Sequence, residues 1–305
     1  MTETKKDFID LTQFNKDELI FLIEDGINKK NMSSKNGMAS VDEDACAKNK
    51  ILATIFEKPS TRTRFSFETA MYQLGGKTIY ANMSDMQLGR GETIDDTAKV
   101  ISRYVDIAML RTNKHSTLEN FAKNASIPVI NGLTDKSHPC QVLADLITVK
   151  EKIGDIENKS YVWFGPANNM LTSWIHAAQI IGFELRICSP KDYSVDNNLV
   201  SGFPNITTDL DPNDAAKDCD CIITDTWFSM GEDDNDKKRK ILEPYKVDSN
   251  KISMASSDAI FLHCLPAHRG EEVDADVIDG VNSVVWDEAE NRVHAQKSII
   301  RWCLS

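Results

Sequence analysis

The chain has 305 residues, 41% of them hydrophobic, and a formal net charge of −12. This length predicts two domains with substantial cores, and the acidic balance argues against a general nucleic-acid binder. Residues 1–7 are polar rather than signal-like, and no apolar run is long enough to span a bilayer. The seven cysteines are scattered and odd in number, which is typical of reduced thiols. We therefore predict a cytoplasmic protein that binds neither membrane nor nucleic acid.

Short apolar runs alternate with helical patterns along the chain. The first helix is predicted over residues 15–29, where Asn15 and Glu18 form a plausible capping box. The predicted strands are 51–56, 77–81, 107–111, 128–131, 161–164, 184–188, 221–225, 259–264 and 283–286. The later predicted helices are 64–74, 93–104, 117–124, 139–153, 169–181 and 289–304. Such alternation predicts parallel sheets with both faces covered by helices.

A polar stretch at residues 153–159 is the best candidate for a domain boundary. It follows the long helix that starts at Pro139 and leaves two halves of similar size. We therefore predict an α/β protein of two domains, residues 1–147 and 148–305, each a parallel sheet flanked by helices. Residues 232–239 are predicted to be a charged loop. Because ligands of open α/β sheets bind at the carboxyl ends of strands, polar residues at those ends are candidate site residues.

The segment 60–64, Ser-Thr-Arg-Thr-Arg, follows the first buried strand and opens a helix. Such a turn offers unpaired backbone N–H groups and the positive end of a helix dipole. The hydroxyl groups and Arg62 complete a socket for a phosphate that carries two or more negative charges. No glycine lies between Lys58 and Leu74, so the segment is not a glycine-rich nucleotide loop. It suits a small phosphorylated molecule better than a nucleotide. The alternative is a plain helix cap with solvated arginines, and Arg64 is assigned a structural ion pair.

Residues 138–141, His-Pro-Cys-Gln, open another helix. Pro139 suits the first helical turn, which leaves His138 and Gln141 at the helix entrance. There they can donate and accept hydrogen bonds around a carbonyl and an amide group. A helix cap beside a core cysteine remains an equally good interpretation of this motif alone.

Asp225 follows a predicted strand and precedes Ser229-Met230-Gly231. A carboxylate at this position could hold a substrate ammonium group, and the Ser-Met-Gly turn could close over it. The alternative is an ordinary loop with one solvated aspartate.

Residues 263–266, His-Cys-Leu-Pro, end another strand and allow two functional interpretations. A metal site would use His263, Cys264 and His268, but the paired spacing of zinc sites is missing. A catalytic thiol at Cys264 is the second interpretation. A buried, inert thiol is the expectation for the cysteines outside the motifs, namely Cys46, Cys188, Cys219, Cys221 and Cys303. His115, His176 and His294 are predicted to be surface or packing residues.

Taken together, these motifs resemble the aspartate/ornithine carbamoyltransferase family from about Leu19 to the C terminus, and more specifically its ornithine-specific members. The resemblance implies a site for carbamoyl phosphate made of Ser60, Thr61, Arg62, Thr63, Gln87, Arg111, His138, Gln141, Cys264, Leu265 and Arg292. It implies that L-ornithine is held by Asn169, Asp225, Ser229 and Met230. Gln87 matches a residue that family members lend to a neighbouring subunit, which implies a homotrimer or a multiple of trimers. One departure is Pro166, where the family usually has aspartate.

The resemblance also implies a reaction and a final fold detail. The carbamoyl group would pass to the δ-amine of L-ornithine, giving L-citrulline and phosphate in arginine biosynthesis or, in reverse, arginine catabolism. Cys264, Asp225, Arg111 and His138 would be catalytic, no metal or cofactor would be needed, and the helix 289–304 would return to the first domain. The alternatives are putrescine, an acylated ornithine or aspartate as acceptor, or a regulatory subunit that only senses anions.

Overall fold

The computed structural model describes residues 5–33, 37, 39–87, 91–228, 232 and 235–305. The chain divides into two compact units, Met1–Ile147 with Glu290–Ser305 and Thr148–Ala289. The division falls inside two helices, Pro139–Ile153 and Val285–Leu304. Within the described part of the chain, no helix is both long and apolar enough to cross a membrane.

The first unit contains a four-stranded sheet with the strand order β2-β1-β3-β4, in which every pairing is parallel. Its strands are β1 (Ile51–Phe56), β2 (Lys77–Asn82), β3 (Ile107–Arg111) and β4 (Val129–Leu133). Its helices are α1 (Lys16–Ser33), α2 (Thr61–Gln73), α3 (Ile94–Ile101), α4 (His115–Asn124) and the first part of α5 (Pro139–Ile153).

The strand register of this sheet brings two candidate site segments together. Phe56 at the end of β1 pairs with Arg111 at the end of β3, and the Glu57 amide donates to the Arg111 carbonyl at 2.8 Å. The loop that leads into α2 therefore starts beside Arg111. All of β3 is buried, as expected for a central strand covered on both faces.

The second unit contains a five-stranded sheet with the order β7-β6-β5-β8-β9, again parallel throughout. Its strands are β5 (Ser160–Phe164), β6 (Glu184–Cys188), β7 (Ile206–Thr207), β8 (Cys221–Thr224) and β9 (Ile260–His263). The helices from this point on are α6 (Asn169–Ile181), α7 (Asn197–Val200), α8 (Asp236–Leu242), α9 (Ser249–Met254), α10 (Ala275–Ile278) and α11 (Val285–Leu304).

The closing helix α11 supplies buried contacts to the first unit. The Ser298 hydroxyl donates to the Leu22 carbonyl of α1 at 2.9 Å. Fully buried Lys297 donates to Asp42 at 2.8 Å and to Gln73 at 3.0 Å. The expected return of this helix to the first unit is confirmed, and so is the α/β class with two parallel sheets.

Sequence patterns located the long elements better than the short ones. The capping box of α1 is present, because Asn15 and Glu18 each accept the other's backbone N–H, at 2.9 and 3.0 Å. The strand predicted at 283–286 is wrong: Ser283 makes only an isolated bridge to Phe261, and α11 begins at Val285. Acidic residues in the first turn of α11 favour that helix start.

Two further differences concern short helices and a short strand. The predicted charged loop 232–239 is helical from Asp236, where the Asn235 side chain caps α8. The elements β7, α7, α9 and α10 were not predicted, because runs of two to six residues are too short to show a hydrophobic period.

Buried His294 gives a testable pH dependence of stability. Burial, followed by the charges of Lys297 and Lys30, lowers the pKa of His294 from 6.5 to about 3. Between these values the unfolded chain binds a proton that the folded chain does not, so acid destabilises the fold. One such group lowers the free energy of unfolding by about 1.4 kcal/mol per pH unit as the pH falls below 6.5.

We expect His294→Leu to weaken the dependence of the free energy of unfolding on pH by about 1 kcal/mol per pH unit between pH 6 and pH 4. Urea titrations of both proteins at several pH values measure it. The variant's stability at pH 7.5 provides the packing baseline. Parallel curves for variant and wild type would contradict the assignment.

Candidate functional site

The first group of candidate residues lies at the N-terminus of α2. Ser60 is the N-cap, with extended backbone angles, and its hydroxyl accepts the Thr63 N–H at 3.4 Å. The helix therefore begins at Thr61 and not at residue 64 as predicted. This earlier start places Thr61, Arg62 and Thr63 in the first turn, where backbone N–H groups lack helical acceptors and the dipole favours an anion.

The two arginines of this segment have different partners. Exposed Arg64 pairs with Glu68 at 2.9 Å, and its guanidinium lies 3.9 Å from the centre of the Tyr80 ring, so its predicted structural role is confirmed. Half-buried Arg62 has no carboxylate at ion-pair distance among the described residues. Arg62 is therefore the arginine with charge available for a ligand.

Two buried guanidinium groups converge on the Thr63 hydroxyl. Arg111 donates to Thr63 Oγ1 at 2.9 Å and Arg292 donates to the same oxygen at 3.3 Å. Arg292, from α11, also donates to Gln141 Oε1. All four side chains are at most 8% exposed. Segments from β3, α2, α5 and α11 thus bring together residues that are far apart in sequence.

His138 is buried beside this cationic group. Desolvation by burial, followed by the charges of Arg292, Arg111 and Arg62, holds the pKa of His138 well below its usual value of 6.5. The imidazole is therefore neutral at physiological pH. A neutral ring can donate one hydrogen bond without adding a fourth positive charge to the group.

The amide of Gln141 has a fixed orientation. Its Nε2 donates to Asp145 at 2.8 Å, while its Oε1 accepts from Arg292. Asp145 was missed by the sequence analysis, although its position one helical turn after Gln141 was a usable signal. The adjacent Cys140 donates to the Asn131 carbonyl at 3.1 Å and burial raises its pKa to about 12, as expected for a core thiol.

Gln87 is exposed. It follows a single turn of 3-10 helix, Met83–Asp85, and occupies a bend. Its predicted contribution to a neighbouring subunit stays a prediction.

In the second unit, Asp225 follows β8 and is at the centre of a hydrogen-bonded group. Asn168 donates to Asp225 Oδ2 at 2.7 Å, and the Cys264 thiol donates to Oδ1 at 3.2 Å. Asp225 is only 9% exposed, so the alternative of a solvated loop aspartate is wrong. The structure brings Asp225 and Cys264 together as a pair.

Asn169 opens α6, and its neighbour Asn168 is the N-cap. The side-chain Oδ1 of Asn168 accepts the N–H groups of Met170 and Leu171 at 2.9 and 3.0 Å, which leaves its NH2 group to orient Asp225. The sequence analysis did not assign Asn168 to the site. Its preference for the N-cap position was the available signal.

Cys264 and Leu265 follow β9, and the histidine before them has two hydrogen-bond partners. His263 Nδ1 accepts the Leu265 N–H at 2.9 Å, and Nε2 lies 3.2 Å from Glu272. The possible ligand atoms of Asp225, His263 and Cys264 lie within 4.8 Å of one another. Because both nitrogens of His263 already have partners, these contacts favour a hydrogen-bonded role over metal binding.

Ser229 and Met230, predicted to bind ornithine, lie outside the described residues. The preceding Phe228 is described, and the cationic groups of Lys238 and Arg239 on α8 lie 5.0 and 5.1 Å from its ring centre. Helix α8 therefore contacts the residue that leads into the Ser-Met-Gly segment.

Known proteins and family models match this chain over almost its whole length. Residues 6–151 match the family model "Aspartate/ornithine carbamoyltransferase, carbamoyl-P binding domain", and residues 157–303 match the model of its "Asp/Orn binding domain". The ornithine carbamoyltransferase of Caulobacter vibrioides is 50% identical, over 97% of this chain and 96% of its own. That of Nitrobacter winogradskyi is 47% identical, over 100% and 99%.

Solved structures show the same likeness. The ornithine carbamoyltransferase of Pyrococcus furiosus has a TM-score of 0.91 at 43% identity, with 98% of this chain and 97% of that chain covered. The corresponding structure from Burkholderia thailandensis has a TM-score of 0.88 at 44% identity, with 98% of both chains covered. On its motifs, its fold and these matches, the chain belongs to the aspartate/ornithine carbamoyltransferase family.

Proposed function

We propose that the chain transfers the carbamoyl group of carbamoyl phosphate to the δ-amine of L-ornithine, giving L-citrulline and phosphate. The observation that carries the proposal is the convergence of Arg111 and Arg292 on Thr63, beside neutral His138. The relatives that match over nearly their full length are named ornithine carbamoyltransferases, which supports ornithine as the acceptor. The reaction would serve arginine biosynthesis or, in reverse, arginine catabolism.

The phosphate of carbamoyl phosphate would bind at the N-terminus of α2. Ser60, Thr61 and Thr63 offer hydroxyl and backbone groups there, and Arg62 adds a charge that no described carboxylate neutralises. A dianion gains from both the helix dipole and the guanidinium. The same contacts would stabilise the charge that grows on phosphate as it leaves.

The carbamoyl carbonyl would lie against Thr63, Arg111 and His138. As the amine attacks, negative charge develops on the carbonyl oxygen, and donors that are already fixed stabilise it without reorganisation. Removing one such donor typically costs about 10²–10³ in turnover. Gln141, whose Oε1 is oriented by Arg292, would accept from the carbamoyl NH2.

L-Ornithine would bind to the second unit, with its α-ammonium at Asp225 and its α-carboxylate near Asn169, Ser229 and Met230. Its δ-amine has an ordinary pKa near 10.4, so a proton must leave before the nitrogen can attack. The hydrogen-bonded pair of Asp225 and Cys264 would orient the amine and receive that proton. Leu265 would complete the carbamoyl contact beside Cys264.

Transfer would proceed without a covalent intermediate on the chain. The δ-nitrogen forms a bond to the carbamoyl carbon, and the bond from that carbon to the phosphate oxygen breaks. The phosphate leaves with the electron pair, and the proton that the attacking nitrogen loses once the new bond has formed passes to a phosphate oxygen. Positioning of the two reactants supplies much of the acceleration for such a direct step.

A trimer of this chain is part of the proposal. The first unit exposes large apolar side chains on α2 and on the edge strand β2: Phe65 is 67% exposed, Tyr72 53% and Ile79 50%. Grouped apolar side chains beside an open strand edge favour burial against another subunit. Exposed Gln87 would then reach the neighbouring subunit's carbamoyl phosphate.

The test of function is a citrulline assay with carbamoyl phosphate and four acceptors: ornithine, putrescine, N-acetylornithine and aspartate. We expect ornithine to be used best, because it alone has both a δ-amine and the free α-ammonium group that Asp225 would bind. Faster carbamoylation of putrescine would overturn the assignment of the acceptor. Phosphate binding without turnover of any amine would favour an anion-sensing subunit instead.

We expect Asp225→Asn to lower kcat/KM for ornithine by about 30-fold or more. The substitution removes the buried carboxylate that would pair with the α-ammonium group of ornithine. Phosphate affinity should change little. The matched control is Asp220→Asn at the opposite, amino end of the same strand, where Asp220 pairs with Lys159. Equal losses in both variants would show a general effect on folding rather than on ornithine.

We expect Arg62→Ala to weaken binding of inorganic phosphate by about 10-fold or more, the value of one charge-assisted contact. Arg64→Ala is the matched control, because that arginine already pairs with Glu68, and it should change affinity less than twofold. Isothermal titration measures both. A larger loss in the Arg64 variant would reverse the assignment of the two arginines.

Shared sites predict complementation between two inactive variants. If Gln87 serves a neighbouring subunit, a randomly reassociated equal mixture of Arg62→Ala and Gln87→Ala chains has about a quarter of all its sites intact, all of them in hybrid trimers. We expect citrulline formation to rise after dissociation and reassociation, and light scattering to report a trimer or its multiple. A monomeric mass, or no recovery from hybrids, would refute the shared site.

A further inference from the structure

His115 is a buried histidine that the proposed reaction does not use. It is 8% exposed and is the first residue of α4, shortly after Arg111 at the end of β3. The sequence analysis predicted only a surface or packing role for it. Because β3 pairs with β4, the chain that follows Arg111 runs beside the chain that leads from Leu133 to His138.

The ring of His115 is hydrogen-bonded to a short loop, residues 134–137. Its Nδ1 lies 2.9 Å from the Thr134 hydroxyl oxygen. That oxygen also accepts the backbone N–H groups of Lys136 and Ser137, each at 3.3 Å. A hydroxyl group has two lone pairs and one proton, so we assign the proton to the contact with Nδ1. The neutral ring therefore carries its own proton on Nε2.

The backbone of His115 contacts the same loop. Its N–H donates to Asp135 Oδ1 at 2.9 Å, and the Asp135 N–H donates to the Asn113 carbonyl at 2.8 Å. Lys114, the N-cap of α4, makes no side-chain cap hydrogen bond. Asp135 therefore satisfies the first N–H of the helix, where a carboxylate also gains from the helix dipole. Both the ring and the main chain of His115 are thus attached to the loop.

The loop 134–137 leads directly to His138, which is 4% exposed. The Thr134 N–H donates to the Ser137 carbonyl at 3.0 Å, which closes the loop on itself. Asn131 on β4 donates to the Ser137 hydroxyl at 3.2 Å. A displacement of this loop would therefore move the imidazole that, in the proposed function, lies against the carbamoyl carbonyl.

The surroundings of His115 favour a neutral ring. Nε2 lies 3.6 Å from Glu119, one turn further along α4. Burial, followed by the charge of Lys136, lowers the pKa of His115 below its usual value of 6.5. The nearby carboxylates of Glu119, Asp10 and Asp135 act in the opposite direction, and the shift of the pKa remains downward. Because only a neutral ring can accept a hydrogen bond at Nδ1, this acceptor is available at physiological pH.

We infer that His115 is a positioning residue that holds the loop 134–137 through Thr134 and so places His138 for carbamoyl transfer. The inference rests on the proposed function and deepens it. His115 touches no substrate in this account. It acts by accepting the hydroxyl proton of Thr134, and the oxygen of that hydroxyl fixes two backbone N–H groups of the loop.

Two substitutions of His115 separate the hydrogen-bond acceptor from the volume of the ring. His115→Phe keeps a ring without the acceptor, whereas His115→Asn places an amide oxygen near the position of Nδ1. We expect His115→Phe to lower kcat with ornithine about 10-fold or more, as for a displaced oxyanion donor. His115→Asn should retain at least about half of the wild-type kcat. Affinity for inorganic phosphate should stay within about twofold in both variants, because Arg62 and the N-terminus of α2 are unchanged.

A second readout does not depend on activity. Deuterium exchange followed by peptide mass spectrometry reports the backbone amides of residues 134–137, two of which donate to Thr134. We expect exchange in this loop to be about 10-fold faster in His115→Phe and unchanged in His115→Asn. Thr134→Val, which removes the hydroxyl group, should accelerate exchange as much as His115→Phe. Exchange in the buried strand β3 is the reference for global stability.

The matched control is Glu119→Gln, because Glu119 faces Nε2 of the same ring and not Nδ1. Glu119 is largely exposed, so its ion pair contributes little. We expect this variant to keep kcat and loop exchange within about twofold of the wild-type values.

The outcomes separate the two proposals. Wild-type kcat and wild-type loop exchange in folded His115→Phe would overturn the positioning role. Losses in His115→Asn as large as those in His115→Phe would also overturn it, and so would an equal acceleration of exchange in β3. If the wild-type chain makes no citrulline, the proposed function fails, and the exchange of residues 134–137 still decides whether His115 holds the loop.

Discussion

The candidate site depends on two guanidinium groups, those of Arg111 and Arg292, that share one neutral oxygen. Like charges repel strongly away from water, and a bound anion, such as the proposed carbamoyl phosphate, would reduce that repulsion. Burial, followed by the charges of Arg292, Arg111 and Arg62, keeps the pKa of His138 low. Arg292 also donates to Gln141 and so helps to orient its amide.

In the second unit the buried charged group is a carboxylate rather than a guanidinium. Asp225 is nearly buried, and its oxygens accept from Asn168, Cys264 and the Thr226 N–H. Among the described residues these donors are neutral, and no ion pair to Asp225 accompanies them. In the proposed function, the ammonium group of ornithine would supply the cation.

Sequence patterns predicted most of the fold because the long elements are also the amphipathic or continuously apolar ones. The bounds of β1, β3 and β6 were predicted to the residue. β1 and β3 are largely apolar, whereas β6 has polar Glu184 and Arg186 alternating with apolar residues. The start of α2 was missed because Ser60 was assigned to a ligand and also serves as the helix cap. At residues 283–286, Val284, Val285 and Trp286 favour a strand, but the helix α11 already begins at Val285.

The partners of the site residues were harder to predict than the residues themselves. Asp145 and Asn168 carry local signals, a helical spacing and a cap preference. Glu272 carries none, because its contact with His263 arises from tertiary packing between β9 and the chain after it. Sequence reasoning thus found groups whose chemistry is distinctive and missed those that only orient them.

Helix α11 has a consequence for biosynthesis of the protein. The first unit is built from residues at both ends of the chain, and its buried Asp42 and Gln73 accept hydrogen bonds from Lys297. While a ribosome is still translating the middle of the message, those groups have no Lys297 to bind. The N-terminal half therefore makes these buried contacts only after the final helix has emerged from the exit tunnel.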